Sequence, residues 1–191
     1  MFISDYHIIL NKFISGIYLQ NSYGSPYHLL GTDILQMVRS YLQDSEFFLN
    51  KGDIVNQYAS LVYAHGWLDA GAYLGLYSIS SNPGYFEEII FPNKYDKEHL
   101  FYKTSKYYTM LGNAISSITL FPGHGSPLAQ AADTCLLKAE KSHVRAEEFC
   151  NKKNYVSALG HLCYGYGWLD TAVRAGLLTV HANFDLFTTE F

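Results

Sequence analysis

The chain has 191 residues, of which 49% are hydrophobic, 16% aromatic and only 16% charged, against a charged share of about 25% in ordinary globular domains. A formal net charge of −4 without a basic stripe excludes a surface built on nucleic-acid phosphates, and Phe2 to Gln20, broken by Asp5, His7, Asn11 and Lys12, reads as neither signal peptide nor membrane span. The three cysteines, Cys135, Cys150 and Cys163, have no CxxC spacing and read as small core residues of a cytoplasmic protein in a reducing compartment.

The first element is helical. Asp5 to Gln20 sets Ile9, Phe13 and Ile17, with Leu10 and Ile14, at helical spacing, predicting an amphipathic helix of about four turns. The same element returns at Lys106 to Leu120, and the recurrence is not local. Shifting the chain by 101 positions pairs Tyr6 with Tyr107, Leu10 with Leu111, Gly24-Ser25-Pro26 with Gly125-Ser126-Pro127, and Asn50-Lys51 with Asn151-Lys152. A register held over about seventy residues is a tandem duplication, and it sets the architecture.

Helix two starts at Ser25-Pro26 and again at Ser126-Pro127. A serine oxygen accepts from an orphan amide of the first turn, and proline loses nothing at the first helical position. It runs to Lys51 and Lys152, with a kink or restart expected at Gly31-Thr32-Asp33. Leu35, Val38, Leu42, Ser45 and Phe48/Leu49 make its buried face, mirrored by Leu136, Ala139, His143, Ala146 and Phe149/Cys150. The loop Pro122-Gly123-His124 before Ser126 lacks the Lys-Ser/Thr of a phosphate-binding loop and reads as a plain connection. Lys51-Gly52-Asp53 ends helix two and caps helix three. Copy two offers Lys152-Lys153-Asn154, so the loss of glycine predicts a turn that closes differently.

Helix three is expected from Asp53 to about Ile79 and from Asn154 to about His181. Ile54, Tyr58, Leu61, His65, Leu68 and Ala72 form one stripe; Tyr63, Trp67, Ala70 and Leu74 form a second, repeated as Tyr164, Trp168, Thr171 and Ala175. A lone three-helix bundle needs one stripe, so the second asks for another partner. Gly66, Gly71 and Gly75, and Gly160, Gly165, Gly167 and Gly176, each cost about 1 kcal/mol against alanine inside a helix. That cost implies close backbone approach. The expected interface between the two third helices is therefore Tyr63, Gly66, Trp67 and Leu74 against Tyr164, Gly167 and Trp168.

The domains expected are a first repeat over 1–79, a connector over 80–102, a second repeat over 103–181 and a tail over 182–191. The connector is rich in turn residues (Asn82-Pro83-Gly84), but its apolar patch from Phe86 to Phe91, like the tail's Phe184, Leu186, Phe187 and Phe191, is expected to lie against the bundle. The fold class is all-α: two tandem three-helix bundles packed as a pseudo-two-fold six-helix body.

Ser40-Tyr41-Leu42-Gln43-Asp44, Phe48 to Asp53 and the run Tyr63 to Leu76 resemble the short archaeal proteins grouped as domain of unknown function 357. The second copy matches through Asn151-Lys152, Asn154 to Ala158 and Gly167-Trp168-Leu169-Asp170, and departs at Lys153, at Gly165-Tyr166 and at Arg174-Ala175. The resemblance implies a small helical bundle and an archaeal source, with no activity or catalytic residues to carry over.

No catalytic residue and no cofactor is expected from the pattern. Asp69 and Asp170 lie beside the core stripe of helix three, where Glu46 and Glu147 of helix two are placed to approach them, and four carboxylates on facing helices are a known arrangement for metal. Glu140 and His143 add Glu-x-x-His spacing on one helical face, with Glu147 a turn further, but the first copy has Arg39 and Leu42 there. His65 stands four residues before Asp69, a spacing that suits a shared ligand or an acid–base pair; copy two has Tyr166 instead. The plainer reading gives each aspartate a hydrogen bond from a tyrosine or tryptophan at a crowded interface. The leading function is a non-enzymatic module for protein interaction or self-association, with a protein partner or a homo-oligomer, no nucleic acid and no membrane. The alternative is a small-molecule or metal-binding protein, or a hydrolase, using His65, Asp69, Asp170, Glu46 and Glu147, with Glu140, His143 and Glu147 as metal ligands.

Overall fold

The computed structural model describes residues 1–79, 86, 89–120 and 125–188, and helices carry nearly all of their regular structure. The first repeat holds α1 (Ile3–Ser15), α2 (Pro26–Asn50) and α3 (Ile54–Tyr73); the second holds α4 (Lys97–Ile115), α5 (Pro127–Asn151) and α6 (Tyr155–Arg174). Asn82-Pro83-Gly84, Pro122-Gly123-His124 and Phe191 lie outside the described residues. Among the described residues no helix is long and apolar enough to cross a membrane.

The helix starts follow the capping chemistry. Ser25 accepts from the His28 amide at 3.2 Å and Ser126 from Ala129 at 3.0 Å; Asp53 accepts from Asn56 at 3.0 Å and Asn154 from Ser157 at 3.2 Å. Each such cap contributes about 1 kcal/mol. Asp96 adds a fifth cap, accepting from His99 at 2.8 Å. It starts α4 inside the segment expected to be connector.

The stops differ from expectation. α3 and α6 end at Tyr73 and Arg174 rather than near Ile79 and His181, because Gly75 (φ +72°) and Gly176 (φ +69°) take the left-handed position beyond the helix end. Leu76 N–H then reaches Gly71 O at 3.1 Å, and Leu177 N–H reaches Ala172 O at 2.9 Å, satisfying carbonyls left open by the last turn. These two glycines serve conformation, not close approach. Nor does α2 restart at Gly31, through which it runs unbroken; a Cβ there would lie 2.6 Å from Leu19 Cδ2, so the glycine admits the segment after α1. The turn at Lys153 also closes as its glycine counterpart does. Lys153 has φ +57° against +72° at Gly52, with the same amide-to-carbonyl bonds, Asn154 to Phe149 and Asp53 to Phe48, both at 2.9 Å.

α3 and α6 are buried on almost every side and pack on each other at the centre. α2 covers α3 and α5 covers α6, while α4 packs on α6 and α5 and α1 on α3. The two-stripe pattern of helix three is thus the signature of a helix with neighbours on both sides. A short antiparallel ribbon, β1 (Ile118–Leu120) against β2 (Leu178–Val180), joins the ends of the second unit, and Leu120 pairs with Leu178. The bridge between Leu19 and Tyr77 is its counterpart 101 residues earlier.

Candidate functional site

Where α3 crosses α6, glycine faces glycine. A Cβ on Gly167 would fall 2.8 Å from Gly66 Cα and from the Trp67 amide nitrogen, and one on Gly66 would fall 3.0 Å from Gly167 Cα. Only hydrogen fits between the backbones there. Trp67 and Trp168 are buried beside the crossing, Trp168 with Tyr73 on one side and the Lys138 ammonium 5.6 Å from its ring centre. Leu74, the cap residue of α3, is only half-buried.

The crossing is tied at both ends by reciprocal hydrogen bonds. Tyr63 of α3 donates to Asp170 Oδ2 on α6, and Tyr164 of α6 donates to Asp69 Oδ2 on α3, the latter at 2.7 Å. From here the two ends diverge.

At the Asp69 end the carboxylate is surrounded. His65 Nε2 stands 3.4 Å from Asp69 Oδ2, and Tyr6 lies 2.6 Å from His65 Nδ1, so the fully buried Tyr6 hydroxyl fixes the ring from behind. Burial alone would raise the Asp69 carboxyl, but the hydrogen bond and charge of His65, then Tyr164 and Lys138, outweigh it and hold the group below its ordinary value. Phe86 fills the remaining space. Its ring centre lies 4.9 Å from Tyr164, 5.1 Å from His161 and 6.2 Å from His65, and Tyr58 donates to its carbonyl at 3.0 Å. Burial, then the Arg145 charge, pulls His161 down to about 4.

At the Asp170 end the equivalent space is open. A cavity of about 350 Å³ is lined by Tyr41, Tyr63, Tyr107 and Tyr166, by Lys103 and Asn56, by Asp170, and at its exposed rim by Asp44 and Asp185. Tyr166 takes the place of His65, and its hydroxyl donates to Leu186 O of the tail at 3.1 Å. The tail residues 185–188 form one wall, and Phe187 is the counterpart of Phe86 in the 101-residue register. Lys103 replaces Phe2; its ammonium donates to Asn56 Oδ1 and lies 5.0 Å from the Tyr107 ring centre. Burial pulls the Lys103 pKa down.

Asp170 itself is wholly buried. Desolvation pushes its carboxyl up to about 7, although the Tyr63 hydroxyl and the amide and hydroxyl of Thr188 favour the charged form. Its Oδ1 has no hydrogen bond of good geometry among the described residues. Two carboxylates related by the duplication are therefore driven in opposite directions, Asp69 by His65, Tyr164 and Lys138 and Asp170 by a desolvation that Tyr63 and Thr188 do not offset.

The family model described as "Protein of unknown function (DUF357)" matches residues 5–77 and again residues 106–178. The chain belongs to the DUF357 family, as two units in tandem. No curated protein and no solved structure matches it.

The remaining candidates of the two DUF357 units do not join either end. Glu46 is exposed and pairs with His7, Nε2 to Oε1 at 3.5 Å. Glu147 and Glu140 are exposed on α5. His143 stacks on Tyr108 with ring centres 4.2 Å apart and sets Nε2 3.0 Å from Tyr108 O, so it does not turn to those glutamates. Among the described residues no three His, Cys, Asp or Glu side chains converge as metal ligands. Cys135 and Cys163 are buried thiols pushed up to about 12 by desolvation.

Sequence reasoning missed Tyr41, Lys103, Tyr107 and the tail as parts of one site. A signal existed: the 101-residue register continues into the connector and tail, aligning Phe86 with Phe187, Lys103 with Phe2 and Tyr107 with Tyr6. Reading which of those pairs had changed chemistry points to the α4 side of the second unit.

Proposed function

We propose that this duplicated DUF357 protein binds a small molecule in the cavity beside Asp170. The observation that carries the reading is the bare Oδ1 of a wholly buried carboxylate on the wall of a cavity of about 350 Å³. A buried polar atom left unpaired costs about 1–3 kcal/mol, more when charged, and a ligand donor removes that cost. The same residue in the other unit, Asp69, has its partners in the protein. The cavity lies at the small end of the range for ligand sites, about 300–1,000 Å³.

Self-association, the reading favoured by composition, has Phe2, Ile8, Tyr18, Tyr23, Phe101 and Tyr102 exposed in its support. They and further exposed apolar side chains such as Phe47, Tyr73 and Leu128 are distributed over all of the first five helices and the segments beside them.

A fragment mixture titrated into isotopically labelled protein tests the cavity reading. Binding should shift Tyr41, Tyr63, Tyr107 and Tyr166 together, and a bulky Ser60→Trp variant, filling a lining position, should abolish those shifts. Shifts confined to other surfaces, or unchanged in Ser60→Trp, would refute it.

A further inference from the structure

We infer that the group this cavity takes onto Asp170 is a small organic ammonium that carries a hydrogen-bond donor, either its own N–H or a hydroxyl beside the charged nitrogen. The inference rests on the cavity-binding reading and names the ligand's chemistry. Charge points this way first. Among the described residues Asp44, Asp170 and Asp185 line the cavity against one cation, Lys103, whose ammonium is already engaged by Asn56 Oδ1 and by the Tyr107 ring. Where Asp170 is ionised, above about pH 7, a carboxylate or phosphate ligand would meet its oxygen with like charge, and a neutral donor would leave that buried charge uncompensated.

The aromatic wall points the same way. Tyr41 and Tyr63 meet at 4.4 Å and 85°, Tyr63 and Tyr166 at 6.4 Å and 63°, and Tyr166 and Tyr107 at 6.4 Å and 66°. Four tyrosine rings tilted against one another line one space. A ring face attracts positive charge, and desolvated rings hold ammonium groups most strongly. The Lys103 ammonium, 5.0 Å from the Tyr107 ring centre, is a resident example of the contact. A metal ion is the poorer occupant, because no three carboxylate, imidazole or thiol groups converge among the described residues and cations such as calcium need six to eight oxygen ligands.

The other unit shows what the site loses when it is closed. There Phe86 occupies the space, Phe2 replaces Lys103, His65 replaces Tyr166, and the aspartate is paired within the protein. One copy of a duplicated cavity is filled by the chain itself, and the other retains an anionic, ring-walled space.

The test uses the full chain with choline and n-butylammonium as probes, against 3,3-dimethylbutan-1-ol, the uncharged isostere of choline, and butyrate. Calorimetry and ring resonances of Tyr41, Tyr63, Tyr107 and Tyr166 should report ammonium binding at least about tenfold tighter than either control. Asp170→Asn should erase that preference and Asp69→Asn should keep it. Should Asp170→Asn fail to fold by circular dichroism, Tyr41→Leu, at a half-buried lining position, replaces it and should weaken choline without improving the alcohol. Equal or tighter binding of the alcohol or butyrate at these tyrosines overturns the ammonium inference and leaves a cavity that binds something else. Absence of any cavity shift with every probe, and with the fragment mixture, overturns both.

Discussion

Asp170 and His161 are both buried, Asp170 the more completely, and they respond with opposite sign. The Asp170 carboxyl is raised to about 7, above the ordinary aspartate value near 3.9, so between those values the folded chain holds a proton that the unfolded chain has released. Its contribution to stability therefore falls as pH rises towards 7. His161, pulled down to about 4 from an ordinary 6.5 or so, is neutral in the folded chain where the unfolded chain is protonated, and its contribution rises with pH over about 4 to 6.5. Across that window the two slopes oppose each other. Urea unfolding of the wild type should thus show little pH dependence between pH 4.5 and 6.5 from this pair, each slope being at most about 1.4 kcal/mol per pH unit. Asp170→Asn removes one slope, and the variant should grow more stable with pH over the same range. A variant as flat as the wild type would show that Asp170 is ionised throughout and that its burial is relieved by water or by the tail.

At the scale of helices and turns, most of the design is legible because caps are local chemistry. Ser25, Ser126, Asp53 and Asn154 act as their side chains dictate, and the double stripe of Tyr63 and Trp67 beside Tyr58 and Leu61 announces a helix enclosed on both sides. Glycine is less legible. Gly66 and Gly167 serve close approach while Gly75 and Gly176 serve a left-handed stop, and composition does not distinguish the two uses. Lys153 shows tertiary packing overriding propensity: α5 and α6 must meet as α2 and α3 do, so lysine accepts φ +57°. A side chain in that region costs about 1–2 kcal/mol. Lys153→Gly should relieve it and raise the unfolding free energy by about 1 kcal/mol, after allowing for the freedom glycine gives the unfolded chain. The reverse change, Gly52→Lys at the equivalent turn, should cost a similar amount. Equal midpoints in denaturant for wild type and Lys153→Gly would mean that the lysine makes a compensating contact in the turn.

Across the whole molecule, duplication supplies two equivalent spaces flanking the α3–α6 crossing, and packing decides their fates. The register alone could not reveal this, since whether Phe86 or Phe187 enters its cavity depends on how the connector and tail return to the bundle. Phe86 is buried against Tyr164, His161 and His65, and a Cβ on Gly160 would come within 2.8 Å of its ring; Phe187 is buried to the same degree but lines a space that remains open beside it. Emptying the filled side should therefore create a second cavity of different chemistry. Phe86→Ala should cost about 3–5 kcal/mol, the usual range for removing a buried phenylalanine ring. The new space would be walled by Tyr164 and His161 but would offer no bare carboxylate, because Asp69 keeps Tyr164 and His65. Benzene or phenol should then raise the melting temperature of Phe86→Ala and leave the wild type unchanged, as neutral aromatics do for dry engineered cavities, while choline should act on both proteins alike through the Asp170 side. If choline stabilised Phe86→Ala more than the wild type, Asp69 would be available to a cation once uncovered. The ring of Phe86 alone, rather than the pairing of Asp69, would then be what separates the closed copy from the open one.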